Sequence, residues 1–369
     1  MVPHKRLIHK LRGYGLKDDI LGWFESFLTG RRQRVVLGNT VSSWKEVTSG
    51  VPRGSVLGPV LFVLYINDLP EKLKNYCKLY ADDAKIIAIL RDAFSSAWLQ
   101  DDIDSVTSWT RDWLMRLNTE KCAVMHFGVT GGIEGSYSIV DLSSGLRSSL
   151  RTSTCERDLG VNITSDLRWK THTEIIASKA NRILGMLLRT FTTRDADCWR
   201  LLYLSLLRPH LEFASAVWNP YLAGDIDVLE RVQRRATKIP GILRDLPYEE
   251  RLKTWGLTTL RERRTRGDLI QLYKAQHGLE IINWPAGPHK APMSQTRSAQ
   301  SNSLRFIRDN FSSRAKNDYG HHVTTRHEFF TNRVVGSWNS LPDSVVSAPS
   351  LNSFKARLDN FPGKAAIAH

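Results

Sequence analysis

Asp82 and Asp83 stand side by side in Tyr80-Ala81-Asp82-Asp83, between the β-favouring runs Cys77 to Ala81 and Ala84 to Leu90. Two polar residues between such runs predict a hairpin with both carboxylates at its tip. Adjacent carboxylates held on a rigid strand-turn-strand can ligate divalent metal, as two-metal phosphoryl and nucleotidyl transfer requires. Alone, an Asp-Asp pair is a weak signal, because such pairs also cap helices and occupy turns. The upstream loop Gly50 to Pro59 strengthens it. In Gly50-Val51-Pro52-Arg53-Gly54-Ser55, glycine allows a nucleic-acid backbone to approach closely, and the next helix begins with its amides directed at any nearby phosphate. The plain alternative is a strand-to-helix connector.

The elements that must position these groups follow from periodicity. Leu7, Ile8 and Leu11, then Ile20, Leu21, Phe24, Phe27 and Leu28, predict two short helices interrupted at Gly13 and Gly15. Arg34 to Leu37 and Val41 to Trp44, joined by Gly38-Asn39, predict a hairpin entered through the basic run Arg31-Arg32-Gln33-Arg34. Val60 to Leu69 is apolar on nearly every side and predicts a buried helix. Phe94, Trp98, Val106, Trp109, Trp113 and Leu117 predict a long helix whose tryptophans pack in the core. Strand-like segments follow at Ala123 to Phe127, Ser136 to Val140 and Leu159 to Ile163, with a loop from Gly128 to Gly135.

Beyond about Lys170 the pattern is helical only. Arg231, Arg234, Arg235 and Lys238 cluster in one helix, and Arg261, Arg263, Arg264 and Arg266 open the next. Such faces suit a polyanion, although a solvated helix surface carries charge too. Pro285 to Asn317 has a linker composition, and Phe329 to Phe361 regains apolar content. The expected fold class is α+β, with an antiparallel sheet at residues 1–165, a helical domain at 166–284, a linker at 285–317 and a small module at 318–369.

The chain has 369 residues and a net charge of +15, a balance that favours a polyanionic partner. No apolar signal core opens it, and the longest apolar run is too short to span a bilayer, so the expectation is a nuclear or cytoplasmic protein that is neither secreted nor bound to membrane. Cys77, Cys122, Cys155 and Cys198 are scattered, against both a zinc knuckle and a disulfide framework. His321, His322 and His327, with no cysteine nearby, read as exposed side chains rather than metal ligands. Trp218, Trp255 and Trp338 read as packing residues rather than a base-stacking platform.

Taken together, Gly50 to Leu69, Tyr80 to Asp83, Asn118 to Gly128, Asp158 to Val161, Leu207 to Tyr221 and Phe329 to Leu341 resemble the reverse transcriptase of jockey-like non-LTR retrotransposons. The resemblance implies a polymerase palm followed by a helical thumb. It further implies two magnesium ions, an RNA template, a DNA primer and deoxynucleotides. Asp82 is then a metal-ligating catalytic residue, and Asp83 its neighbour in the same motif. Tyr80 and Ala81 belong to the nucleotide side of that motif. Gly50, Pro52, Arg53, Gly54 and Ser55 resemble the loop that tracks template and incoming nucleotide. Lys121, in Asn118-Thr119-Glu120-Lys121-Cys122, matches the lysine that assists the pyrophosphate leaving group. Leu159-Gly160-Val161 resembles the primer-grip turn. Arg31, Arg32 and Arg34 with Arg231, Arg234 and Arg235 would grip the backbone.

Two departures qualify this. Arg53 replaces the family's usual glutamine. Val2-Pro3-His4-Lys5 resembles the residues just after the first catalytic motif, whose metal-binding aspartate falls before Met1, as do most of the fingers and the endonuclease. Asp18 and Asp19 precede a helix start and read as capping residues, not substitutes. The expectation is therefore a family member with impaired polymerisation. The alternatives are a fragment that only grips primer-template, and a transposon relic or gene model begun at an internal methionine.

Overall fold

The computed structural model describes residues 2–52, 54–90, 92–128, 135–282, 287–290, 304–308 and 328–361. The chain divides into two compact units, residues 1–126 with 130–153, and residues 127–129 with 154–369.

In the first unit, α1 (His4–Gly13) and α2 (Asp18–Leu28) are separated by a turn in which Gly15 adopts φ +83°. Asp18 and Asp19 lie in the first turn of α2, where the helix N-terminus favours carboxylates. The following hairpin is interrupted. Its outer strands β1 (Arg32–Gln33) and β4 (Lys45–Glu46) set Arg32 opposite Glu46, while the inner β2 (Val36–Leu37) and β3 (Thr40–Val41) set Val36 opposite Val41. Helix α3 (Leu57–Ile66) contributes Leu61, Tyr65 and Ile66 to a core that also holds Leu7, Leu11, Leu21 and Leu28. Burial on every side does not occur: Val60 and Val63 are 50% and 49% exposed. The core takes Leu61, Tyr65 and Ile66 fully and Leu57, Phe62 and Leu64 in part, and apolar residues alone do not recruit a second covering layer for the rest.

Strands β5 (Tyr76–Tyr80) and β6 (Asp83–Ile87) form an antiparallel hairpin, followed by α4 (Ala93–Asp112). A reciprocal capping box between Asp92 and Ser95 starts α4, satisfying amides the helix leaves unpaired. Trp109 of α4 is buried in the first core, whereas Trp98, expected inside, is exposed, as is Phe94. The aromatic stripe continues beyond the part of α4 that the core covers. Four short strands follow, β7 (Ala123–Val124), β8 (Ser138–Val140), β9 (Arg147–Ser149) and β10 (Arg151–Thr152). β8 pairs antiparallel with β9, β10 pairs parallel with β7, and Tyr137 and Ile139 pack on Ile103 of α4.

The second unit opens with the antiparallel hairpin β11 (Cys155–Asp158) and β12 (Val161–Thr164). Leu159, expected within a strand, instead sits in its turn. Helices follow in order: α5 (Lys170–Thr190), α6 (Ala196–Leu202), a π-helical turn at Tyr203–Leu207, α7 (Arg208–Glu212), α8 (Ser215–Trp218), α9 (Ala223–Thr237), α10 (Tyr248–Trp255) and α11 (Leu260–Gln276). Further on lie the two-residue strands β13 (His289–Lys290) and β14 (Phe306–Ile307), then α12 (Phe330–Asn339), α13 (Asp343–Val346) and α14 (Leu351–Asn360). One core joins Leu269, Leu272 and Tyr273 of α11 to Val334, Trp338 and Phe354 of the C-terminal helices. Trp218, Trp255 and Trp338 are buried, as their apolar surroundings in sequence predict. No described helix is long and apolar enough to cross a membrane.

Candidate active site

The β5–β6 register sets Tyr76 opposite Ile87, Cys77 opposite Ile86, Lys78 opposite Lys85, Leu79 opposite Ala84, and Tyr80 opposite Asp83. The turn is therefore Ala81-Asp82. Asp82 occupies the apex and Asp83 begins β6, one position further into the sheet than expected. Ala81 takes the left-handed conformation at φ +52°, which costs an L-residue about 1–2 kcal/mol and which alanine does not advertise in sequence. Both carboxylates are exposed.

What holds the hairpin is an acidic residue that sequence inspection missed. The carboxylate of Asp102, 1% exposed on α4, accepts from the backbone N–H groups of Lys74 (2.8 Å) and Asn75 (2.9 Å) and from the Asn75 side-chain amide (2.8 Å). It thus fixes the chain immediately before β5. Only its position among the apolar residues of the α4 stripe could have drawn notice. Leu79, on the inner face of β5, packs against the core that contains Leu61 and Trp109. The apex is thereby anchored from both the strand entry and the inner face.

Exposed adjacent carboxylates on an anchored turn suit a divalent cation, which prefers hard oxygen ligands. Among the described residues, no group of three or more His, Cys, Asp or Glu side chains is placed to hold a metal ion. Asp82 and Asp83 therefore fit as part of a ligand set rather than a whole one. Among the described residues, β5 and β6 pair only with each other, so both outer edges of this sheet lack a further strand.

The loop at Gly50 is tied to the start of α1. Gly50, at φ +90°, receives the Arg31 guanidinium on its carbonyl at 3.1 Å, with His4 Nε2 at 3.0 Å from the same oxygen, and its N–H donates to the Val2 carbonyl at 2.7 Å. Arg31 also donates to the Leu28 carbonyl. Its role in the structure is thus to brace the loop. Gly54 adopts φ +79°, and the Ser55 hydroxyl donates to the Pro52 carbonyl (2.8 Å) while accepting from the Gly58 N–H (2.9 Å). A Cβ on Gly58 would collide with the Pro52 oxygen, so this glycine, not singled out in sequence, closes the loop against α3. Arg53 lies outside the described residues. Arg32 lies 3.9 Å from Glu46, and Arg34 stacks on Trp44 at 4.6 Å.

Lys121 is exposed at the end of a single 3₁₀ turn, Thr119–Lys121, that Asn118 caps through the Lys121 amide. In the second unit, Leu159 (φ +46°) and Gly160 (φ +92°) form a two-residue turn with both φ values positive, the pattern that matches the twist of a tight hairpin. A Cβ on Gly160 would stand 2.9 Å from the Phe213 ring. Beneath this hairpin the buried His172 ring accepts the Asn162 N–H at Nδ1 (3.1 Å) and meets Trp218 edge-on at 4.7 Å. Burial pushes its pKa down to about 4, so the ring is neutral. On α9, Arg231 and Arg234 each pair with Asp227, and Arg235 reaches Asn181 of α5 at 3.4 Å. Three arginines thus stay on one exposed helix face, with Asp227 offsetting part of their charge.

Residues 1–186 match the family model described as reverse transcriptase (RNA-dependent DNA polymerase). The chain is similar to the RNA-directed DNA polymerase from mobile element jockey of Drosophila melanogaster, 27% identical over 246 residues, covering 62% of this chain and 26% of that protein. The counterpart from Drosophila funebris is 28% identical over 234 residues, covering 59% and 24%. The probable RNA-directed DNA polymerase from transposon X-element of Drosophila melanogaster is 33% identical over 112 residues, covering 29% and 12%. The chain spans about a quarter of the length of the jockey proteins. With a family model extending over half its length, and with non-LTR retrotransposon polymerases among its relatives, the chain belongs to the reverse transcriptase family.

Proposed function

We propose that this chain is the palm-and-thumb portion of a non-LTR retrotransposon reverse transcriptase, acting in RNA-directed DNA polymerisation on an RNA template with a DNA primer and deoxynucleotides. The observation that carries the reading is the exposed pair formed by Asp82 at the apex and Asp83 at the first position of β6, on a hairpin whose entry Asp102 anchors. Asp82, with Asp83 beside it, would hold magnesium. When bound, the ions supply activation of the primer 3′-hydroxyl and neutralise charge on the triphosphate. The chain's own residues do the positioning. Gly50, Pro52, Arg53, Gly54 and Ser55 would serve the template and incoming nucleotide, in a loop that the Ser55 hydroxyl closes between Pro52 and Gly58. Tyr80 and Ala81 face the nucleotide. Lys121 donates to the departing pyrophosphate, Leu159 and Gly160 steady the primer, and Arg32, Arg34, Arg231, Arg234 and Arg235 attract the backbone. We further propose residues 1–165 as palm, 166–284 as thumb, 285–317 as linker and 318–369 as a C-terminal module.

Two carboxylates make an incomplete two-metal site, and a strand carrying a further carboxylate on either free edge of β5–β6 would complete it. This supports weak extension by the chain alone, and it favours a second reading in which the chain binds primer-template without extending it. Primer extension on poly(A) with magnesium separates the two. Product that disappears in Asp82→Ala supports the polymerase; salt-sensitive binding with no product supports the binding module.

A further inference from the structure

Three cations meet in the first unit around a groove that the hairpin carboxylates do not use. It has a volume of about 820 Å³ and is walled by α1, by the turn after α3 and by α4. That volume falls within the range of about 300–1,000 Å³ over which pockets hold ligands. Lys5 and Arg6 of α1 and Lys72 line it together, and none of the three forms an ion pair with any described residue. Of the two carboxylates in the lining, Asp68 is neutralised by the Lys10 ammonium at 2.5 Å, which leaves Asp112 against the three cations. Lys5 and Arg6 also stand in the first turn of α1, which holds no acidic residue, so they oppose the helix dipole as well as one another. Both side chains are exposed, so packing does not dictate their charge. A bound anion turns both terms favourable.

Between the cations lie rings. Trp113 is half-buried, with the exposed His9 ring 6.4 Å away and tilted by 35°. The buried Lys10 ammonium, 3.9 Å from the Trp113 centroid, holds that ring from within. Ser105 and Ser108 add hydroxyls on the α4 side. Rings flanked by cations suit a single strand, whose unstacked bases offer their faces while its phosphates reach the charges. A duplex keeps its bases stacked and offers phosphate alone.

From this arrangement we infer that the groove between α1 and α4 binds single-stranded RNA, with phosphates on Lys5, Arg6 and Lys72 and a base against His9 and Trp113. No residue of β5 or β6 lines it. The choice of RNA rests on the polymerase reading above, because an RNA template is the unpaired strand such an enzyme carries; the groove itself does not.

The test is fluorescence anisotropy of a short labelled oligouridylate with the full chain, across a range of salt concentration. On single strands each phosphate contact contributes about 0.7 to the slope of log K against log salt, so Lys5→Gln/Arg6→Gln/Lys72→Gln should make the slope shallower by about 2. Lys5→Arg/Arg6→Lys/Lys72→Arg should keep the wild-type slope, which shows that a misfolded α1 is not responsible. Lys17→Gln/Lys253→Gln/Lys290→Gln removes the same charge from exposed positions elsewhere and should leave the slope as it is. Irradiated 5-iodouridine in the strand should crosslink at His9 or Trp113, as mapped by mass spectrometry. Affinity for a blunt RNA–DNA duplex should be the same in wild type and the triple glutamine variant. Absent binding, an unchanged slope in that variant, an equal loss in the control, or crosslinks confined to other segments overturns the site. An equal loss of duplex affinity, or displacement of the strand by uridine monophosphate at the same phosphate concentration, overturns the single-strand assignment. Asp82→Ala/Asp83→Ala, which tests the polymerase reading, should leave the crosslinks in place, so the two fail separately.

Discussion

Asn75 donates twice to the buried carboxylate of Asp102, through its backbone N–H at 2.9 Å and its side-chain amide at 2.8 Å, and so locks the chain one residue before the strand that leads to Asp82. The link runs from α4 to the β5–β6 hairpin without passing through Asp82 or Asp83. Asp102→Ala leaves two backbone donors and an amide unpaired in a buried place, and each such loss at a charged acceptor costs about 1.5–3 kcal/mol. The variant should unfold at lower denaturant, by about 3 kcal/mol or more in chemical denaturation, with Asp102→Asn intermediate.

Gly160 should not tolerate a side chain. Its φ of +92° strains an L-residue and the Phe213 ring stands 2.9 Å from the new Cβ. Gly160→Ala is expected to destabilise the second unit by about 1–3 kcal/mol, seen as a lower Tm. Gly160→Ala combined with Phe213→Leu should recover the steric part but not the conformational part.

Acid should weaken the second unit through His172. Its folded pKa, pushed down to about 4 by burial, lies below the unfolded value of about 6.5, so the unfolded chain takes up the proton first. Stability from this group is complete above pH 6.5 and declines as pH falls toward 4, by about 3 kcal/mol in all. Tm measured against pH should show that decline in wild type and a flatter profile over the same window in His172→Phe.

Arg333 of α12 clamps Asp268 of α11 with Nε and Nη2 at 2.9 and 3.0 Å, and its Nη2 also reaches the Ala216 carbonyl at 2.6 Å. Both side chains are nearly buried, at 11% and 5% exposure. Removing one member of such a pair costs about 3–5 kcal/mol, because the other charge is left buried. Arg333→Met should therefore destabilise strongly, and Arg333→Met/Asp268→Leu should regain much of the loss in the same denaturation assay.

How much of this was legible in sequence differs by element. The Asp82-Asp83 hairpin, the two N-terminal helices and the Gly38-Asn39 turn were readable because local periodicity and turn chemistry decide them. The shift of the turn to Ala81-Asp82 was not, since alanine carries no left-handed signal and cross-strand pairing sets the register. Apolar content predicted α3 to be buried all round and Trp98 to be core, but burial depends on which neighbours arrive, and Val60, Val63 and Trp98 stay about half exposed. Leu159 looked like a strand residue for the same reason that Val161 is one; only the adjoining Gly160 marked the reversal. Asp102 and His172 were invisible as positioning residues because their partners lie elsewhere along the chain, at Asn75 and Asn162, with no motif to join them.

The central claim, that Asp82 and Asp83 hold a divalent cation at the hairpin apex, is tested most directly by iron-mediated hydroxyl-radical cleavage of the polypeptide. Fe²⁺ in place of magnesium cuts the backbone beside its own site. The account predicts cleavage within the β5–β6 hairpin, suppressed by added magnesium and absent from Asp82→Ala/Asp83→Ala. Cleavage that falls elsewhere, or that persists at the hairpin in the double variant, would contradict it.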